Sequence, residues 1–167
     1  KLPKAGGEFS KFTYSVSESP ASELKDALEW LADYPYGCLE QTVSRVFPLV
    51  TAGGVLNTFS SIEAANRAEY VKAGLRRVES MFVNSHFITW PDCIYSEADK
   101  DLSLYAAHFV AEALKSSDEF KFNRYGSLIG MLCDYARDSS LSVSAYACHT
   151  LALADKPDKG RMYSLYD

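Results

Sequence analysis

Apolar side chains recur every three or four residues along most of the chain beyond residue 20, which is the spacing of one face of an α-helix. The pattern predicts a first helix that begins at Ser19-Pro20 and stops before Tyr34. Further helices are predicted from about Cys38, at 61–83, 101–115, 123–137 and 140–154, and from Pro157 to Tyr166. About seven helices joined by short loops favour an all-α fold of stacked helical hairpins.

Two segments depart from this helical pattern. Residues 1–7 are polar, and residues 9–16 alternate between apolar and polar positions, which is typical of a short β-strand. The segment from Asn84 to Asp101 has no helical spacing and contains Trp90-Pro91-Asp92. We predict an irregular loop there, and loops of this length often have a functional role.

A turn precedes the helix that begins near Cys38. Pro35 disfavours helix at Tyr34, and Gly37 permits backbone conformations that other residues resist. Pro48 is expected to kink or end this helix, and Gly53-Gly54 closes the segment. The helix has one apolar side, and its other side is predicted to carry Cys38, Gln41, Thr42 and Arg45.

Cys38 and Gln41 form the candidate chemical site. Residues three apart on a helix are neighbours on one face, so the Cys38 Sγ could reach the side-chain amide carbon of Gln41. A thiolate that attacks this carbon and expels ammonia forms an internal thioester, which is a stored electrophile used once. A helix N-terminus favours the thiolate that this reaction needs.

The residues alone leave other interpretations of Cys38 open. It could be a buried cysteine at a helix start, or the nucleophile of a hydrolase or transglutaminase-like enzyme paired with His108. His108 itself is interpreted first as a histidine that packs or forms hydrogen bonds between helices. Glu40 is expected to have a structural role, with an arginine as its partner, rather than to act as a general base.

Composition narrows the class of function. The chain has 167 residues, a formal charge of −5 and no basic patch, which disfavours nucleic acid as a partner. No apolar run is long enough to span a membrane, so no direct membrane contact is expected. The four cysteines form no CxxC pair, and Cys133 and Cys148 are interpreted as small core residues. The sequence spacing of the possible ligands matches no known metal site; they are His86, Cys93, Cys148 and His149. Neither a metal nor a cofactor is therefore expected.

The motif Gly-Cys-x-Glu-Gln at Gly37, Cys38, Glu40 and Gln41 resembles the thioester segment of the bacterial alpha-2-macroglobulins, which are relatives of the complement thioester proteins. Two further blocks support the resemblance, 90–113 and 146–162. The resemblance covers most of residues 20–167, and only the thioester motif within it is specific.

The resemblance implies a fold and a division of the chain. The fold is a partial α/α toroid of helical hairpins, preceded by one short β-strand. Residues 1–19 are a lead segment and a strand that link to a β-domain absent from this chain. Residues 20–167 are part of the thioester-containing domain. Tyr34 and Tyr36 are implied as shields of the thioester, and Trp90 and Tyr95 lie on a loop that could fold over it.

The resemblance also implies a function. The domain belongs to an endopeptidase inhibitor that covalently traps target proteases when the thioester acylates a lysine, in a single-turnover reaction that is not enzymatic. Partners are the target protease and the macroglobulin-like domains of a longer exported protein. The setting is the periplasm or cell envelope, with a role in defence. The alternatives are a helical scaffold without a thioester and, less favoured, a cysteine-dependent hydrolase.

A partial toroid leaves one end of the helical stack uncovered. We expect an exposed apolar surface at Tyr163, Leu165 and Tyr166. Such a surface predicts either self-association or a missing remainder of the domain.

Overall fold

The computed structural model describes residues 37–52, 64–91 and 93–166. Within these ranges the chain forms six helices and one pair of short strands. The helices are α1 (Leu39–Thr51), α2 (Ala64–Ser80), α3 (Lys100–Ser116), α4 (Tyr125–Tyr135), α5 (Leu141–Leu153) and α6 (Lys159–Tyr166), and the strands are β1 (Phe82–Val83) and β2 (His86–Phe87). The prediction of an all-α fold is confirmed.

Most predicted helices are observed with boundaries within about two residues, the scatter expected between assignment methods. Pro48, which was expected to kink or end its helix, lies within α1, and the helix ends three residues later at Thr51. One expectation was wrong in detail. The helix predicted at 61–83 ends at Ser80, since Phe82 and Val83 belong to a strand.

The segment predicted as an irregular loop instead opens with a β-hairpin. Phe82 pairs with Phe87 and Val83 pairs with His86 in an antiparallel register. Asn84 and Ser85 both have positive φ, at 50° and 65°, which is the geometry of a two-residue type I′ turn. An isolated bridge between Ile88 and Glu97 extends the ordered region.

The core lies between α1, α2, α3 and α5. Helix α1 packs against α2 and α3, α3 packs against α5, and α5 also contacts α4 and α6. The Phe47 ring of α1 contacts the rings of Tyr105, His108 and Phe109 on α3. The largest fully buried side chains are Phe82, Phe87, Phe109, Leu39, Met81, Leu104, Leu128, Leu132, Leu151, Val43 and Val78.

Arg161 of α6 forms hydrogen bonds to the helices before it. Arg161 Nε donates to the Ala136 carbonyl at 2.7 Å and to Ser144 Oγ at 3.1 Å. Tyr163 and Tyr166 are exposed, as expected, and they line an open cavity of about 550 Å³ with Pro157, Lys159 and Met162. Leu165 departs from the expectation, because it is half-buried and packs against the core.

Several expectations fall outside the described residues. They are the strand at 9–16, the first helix that begins at Ser19-Pro20, the tyrosines Tyr34 and Tyr36, and the closing pair Gly53-Gly54. Within the described ranges, no helix has both the length and the apolar character needed to cross a membrane.

Candidate functional site

Cys38 occupies the N-cap of α1. Its backbone is extended, with φ −70° and ψ 167°, and its Sγ accepts a hydrogen bond from the Gln41 backbone N–H at 3.4 Å. An N-cap side chain normally satisfies one of the free N–H groups of the first helical turn. The thiol is therefore held against the end of the helix on which Gln41 lies.

Gln41 makes the reciprocal contact. Its side-chain Oε1 accepts a hydrogen bond from the Cys38 backbone N–H at 3.4 Å, which completes a capping box. The thiol and the carboxamide are therefore folded toward each other by two contacts across the same turn. Each side chain therefore contacts the backbone of the other residue across one helical turn.

The residues on either side of Cys38 are anchored by distant parts of the chain. Arg77 Nη2 on α2 donates to the Gly37 carbonyl at 3.4 Å. The Leu39 N–H donates at 2.9 Å to the carbonyl of Thr89, which follows the hairpin. Sequence reasoning missed both anchors, and no local signal could have found them, because Arg77 and Thr89 lie forty or more residues away.

Gly37 leaves space for the side chain of Arg77. A Cβ built at Gly37 would lie 2.8 Å from Arg77 Nη2, and its φ is outside the left-handed region. The absence of a side chain at Gly37 permits the close approach of the Arg77 guanidinium to the turn before Cys38.

Two of the four residues predicted on the polar side of α1, Cys38 and Thr42, are buried. Cys38 is 6% exposed and Thr42 is 8% exposed, whereas Gln41 and Arg45 are half-buried. A prediction from one helix considers only its own apolar stripe. Helix α1 packs on both α2 and α3, so neighbouring elements also cover part of its polar side.

Glu40 is exposed in the first turn of α1. A carboxylate at this end of a helix interacts favourably with the helix dipole. No ion pair joins Glu40 to a residue in the described ranges, so the expected arginine partner is not found there. This position supports the structural interpretation of Glu40.

The segment after the hairpin reaches α1 through its backbone. Thr89 contacts the start of α1, but the Trp90 side chain is 52% exposed and Tyr95 is 92% exposed. Tyr95 therefore covers no part of the site. Trp90 directly follows Thr89, whose carbonyl binds the start of α1, and about half of the Trp90 surface is open to solvent.

A shallow groove borders the site on the side of α2. It has a volume of about 380 Å³ and is lined by Gly37, Thr42, Arg45, Val46, Tyr70, Ala73, Gly74 and Arg77. The Arg45 guanidinium lies 5.8 Å from the centre of the Tyr70 ring, a cation–π distance. The surface beside Cys38 and Gln41 is therefore lined by two arginines.

His108 lies in a cluster between helices, as its first interpretation expects. Its Nδ1 is 3.1 Å from the Tyr146 hydroxyl, and its Nε2 is 3.8 Å from the Glu112 carboxylate. Burial lowers the pKa of His108 from its usual value, and the nearby His149 lowers it further, whereas Glu112 opposes the shift. The neutral imidazole is therefore favoured.

His108 lies on α3 and packs against the far end of α1, away from Cys38. Its ring packs edge-on against Phe47, with 5.0 Å between ring centres. Phe47 follows Cys38 by nine residues, which is about 13 Å along a helix that rises ~1.5 Å per residue. The structure thus does not bring together the pair that a cysteine hydrolase would need.

No disulfide bond joins Cys38, Cys93, Cys133 or Cys148, all of which lie in the described ranges. Cys148 is buried, and burial raises the pKa of its thiol, whereas Cys133 is half-buried and packs against the core. These positions agree with the prediction that both are core residues. Cys93 is exposed. In the described part of the chain, no three His, Cys, Asp or Glu side chains are grouped so that they could hold a metal ion.

The chain is similar in sequence to three curated proteins named alpha-2-macroglobulin. The protein of Thermotoga maritima is 27% identical over 153 residues, which cover 92% of this chain and 9% of the relative. That of Rickettsia conorii is 29% identical over 63% of this chain and 6% of the relative, and that of Xylella fastidiosa is 27% identical over 92% and 10%. The chain thus spans about a tenth or less of the length of these relatives. No protein-family model matches it.

The fold is shared with two solved structures of alpha-2-macroglobulin from Escherichia coli. One is a cryo-EM reconstruction of the native conformation, with a TM-score of 0.70 and 23% identity over 84% of this chain and 10% of that protein. The other is a crystal structure of the native protein from domain MG7 to the C-terminus, with a TM-score of 0.70, 22% identity and 25% of that chain covered. The curated relatives support, at modest identity, a fragment of the bacterial alpha-2-macroglobulin family, and the two solved structures show that the fold is shared.

Proposed function

We propose that Cys38 and Gln41 form an internal thioester that transfers an acyl group to an amine. The Cys38 sulfur bonds to the side-chain carbon of Gln41, the carbon–nitrogen bond of the carboxamide breaks, and ammonia leaves with the thiol proton. An amine then attacks the same carbon and forms an amide, while the carbon–sulfur bond breaks. The Cys38 thiol is regenerated with a proton from the amine. The side chain of Gln41 is then joined to the amine by an amide bond.

The observation that carries this proposal is the reciprocal contact across the first turn of α1. Cys38 Sγ meets the Gln41 backbone, and Gln41 Oε1 meets the Cys38 backbone. Holding two reacting groups in one geometry removes much of the entropic barrier to their reaction. The burial of Cys38 also favours a bond that must be kept from water until it is used.

The similarity to alpha-2-macroglobulins extends the proposal to the whole protein. This chain carries the reactive site of a protease inhibitor, and the acceptor amine is a lysine of the trapped protease. The remaining macroglobulin-like domains of the larger protein supply protease capture and exposure of the thioester. The proposed chemistry is single-turnover, and Tyr34 and Tyr36 shield the thioester. The larger protein is exported to the periplasm or envelope and has a defensive role. The thioester-containing domain begins at residue 20.

The proposal is tested by the intact mass of this chain, measured with and without methylamine, together with a thiol count after unfolding. We expect a mass short by one ammonia and three reactive thiols, because the sulfur of Cys38 is held in the thioester. Methylamine should add its full mass to the chain by forming an amide at Gln41. The same reaction should release the fourth thiol. Peptide mapping then assigns that thiol to Cys38.

Two variants provide matched controls. Cys38→Ser and Gln41→Glu both keep side chains suited to the capping box, but neither can expel ammonia to form the thioester. Both should show full encoded mass and no methylamine adduct. If the unmodified chain has its full encoded mass, no methylamine adduct and four free thiols, the thioester proposal is rejected and a helical scaffold becomes the favoured function.

A further inference from the structure

We infer that Arg77 is a positioning residue for the Cys38–Gln41 pair. The inference rests on the proposed function, since it assigns a role in forming the thioester. Its basis is the contact from α2 to the residue that precedes Cys38: Arg77 Nη2 donates to the Gly37 carbonyl at 3.4 Å. Arg77 touches no reacting atom, and it acts through the backbone of Gly37.

The contact depends on the absence of a side chain at Gly37. A Cβ there would lie 2.8 Å from Nη2, 3.7 Å from Cζ and 3.8 Å from Nε of Arg77. The whole guanidinium group therefore lies against the Gly37 backbone. Any larger residue at position 37 forces Arg77 to move, which links the two positions although they are forty residues apart.

The peptide bond carries this contact to the site. The Gly37 carbonyl and the Cys38 N–H belong to one planar trans peptide unit, so they point in opposite directions. Arg77 holds the carbonyl end of this unit, and Gln41 Oε1 accepts from the N–H end. Fixing the plane of the Gly37–Cys38 peptide fixes the direction of the Cys38 N–H toward the Gln41 carboxamide. The hydrogen bond in turn positions the amide carbon of Gln41 that Sγ must attack.

The experiment compares Arg77→Met with Arg76→Met. Both residues are exposed neighbours on α2, both changes remove one positive charge, and arginine and methionine have similar helix propensities. Arg77→Met should lower the fraction of chains that carry the thioester about threefold, the effect expected from losing one modest hydrogen bond. Arg76→Met should leave that fraction unchanged, and Arg77→Met should unfold cooperatively, at a temperature lowered only by the loss of one hydrogen bond.

A double-mutant cycle tests whether Arg77 acts through Gly37. Gly37→Ala should also lower the thioester fraction, because its Cβ displaces the guanidinium. If the two residues act as one unit, Gly37→Ala with Arg77→Met should be no worse than Arg77→Met alone. Additive losses would contradict the inference.

A second readout remains valid even if no thioester forms. In the Gln41→Glu background, the rate of Cys38 alkylation by iodoacetamide reports how firmly the N-cap turn is held, since Cys38 is almost fully buried. Arg77→Met should raise this rate about threefold relative to Arg76→Met. Equal rates overturn the positioning role of Arg77, whereas a full-mass unmodified chain overturns only the proposed function.

Discussion

At the scale of single residues, the cysteine at the N-cap of α1 is explained by its reactivity and not by the stability of the helix. Serine, threonine, aspartate and asparagine are the strong N-cap residues, and cysteine is not among them. The Cys38 Sγ accepts the Gln41 N–H at 3.4 Å. Capping strength therefore does not explain a cysteine at this position, which suits the chemical role proposed for it.

Cys38→Ser is expected to leave the fold intact and to remove amine reactivity. The serine hydroxyl caps the helix at least as well, so the free energy of unfolding should stay the same or rise by up to about 1 kcal/mol. Chemical denaturation measures the stability, and methylamine incorporation measures the reactivity. A strongly destabilised Cys38→Ser variant would instead indicate that the buried thiol is needed for packing.

His108 should make the stability of the chain depend on pH. The pKa of its imidazole is lowered in the folded chain, first by burial and second by His149, with Glu112 opposing and Tyr146 as the hydrogen-bond neighbour. A base whose folded pKa is lowered contributes full stability above its unfolded pKa of about 6.5. That contribution is lost as the pH falls through this value toward the lowered folded pKa.

The measurement compares urea unfolding at about pH 7 and about pH 5, which bracket the usual histidine pKa. The free energy of unfolding should fall more in the unmodified chain than in His108→Gln. His86→Gln is the control, because His86 contacts the Asn84 carbonyl and lies outside this cluster. An equal fall in all three proteins would show that the cluster does not set the pH response.

At the scale of elements, glycines in helices have opposite roles in α2 and α4. A Cβ at Gly74 of α2 would lie 2.7 Å and 2.8 Å from the two methyl groups of Val46 on α1. Gly74 therefore sets how closely α2 approaches the helix that carries Cys38. Gly130 of α4 is exposed, and a Cβ there meets nothing within 4 Å.

Gly74→Ala should destabilise the chain by about 1–3 kcal/mol, the usual cost of overpacking a close helix contact. Gly130→Ala should stabilise it by up to about 1 kcal/mol, because alanine is the better helix former and space is available. Thermal and denaturant unfolding of both variants check the signs. Opposite signs from the same chemical change would show that packing, rather than helix propensity, decides the outcome at Gly74.

At the scale of the whole molecule, α6 presents exposed aromatic side chains at one end of the stack. Tyr163 is 71% exposed, and Tyr166 lies beside it next to an open cavity. Exposed apolar surface of this kind often marks a contact with another protein surface. The candidate partners that we test are a second copy of this chain and, under the proposed function, a macroglobulin-like domain.

The double variant Tyr163→Ser/Tyr166→Ser should associate less than the unmodified chain. Because both side chains are exposed, the free energy of unfolding should change by no more than about 0.5 kcal/mol per substitution. Sedimentation velocity over a range of concentrations measures association. If the unmodified chain is already monomeric throughout, self-association through this surface is excluded.

The sequence by itself determined the helical elements and the candidate pair. The three- and four-residue spacing of apolar positions is a local property, so α3 to α6 could be placed within about two residues. The spacing of Cys38 and Gln41 across one helical turn is local in the same sense. The hairpin was missed because its strands have only two residues each, too few for an alternating pattern.

Only the tertiary structure decided what surrounds the candidate pair. The burial of Cys38, the anchors Arg77 and Thr89, and the distance of His108 depend on how α1 packs between α2 and α3. These contacts join residues forty or more positions apart, and no local pattern encodes such pairings. Local spacing placed the nucleophile and the carboxamide on one turn, whereas long-range packing set their burial and the anchors around them.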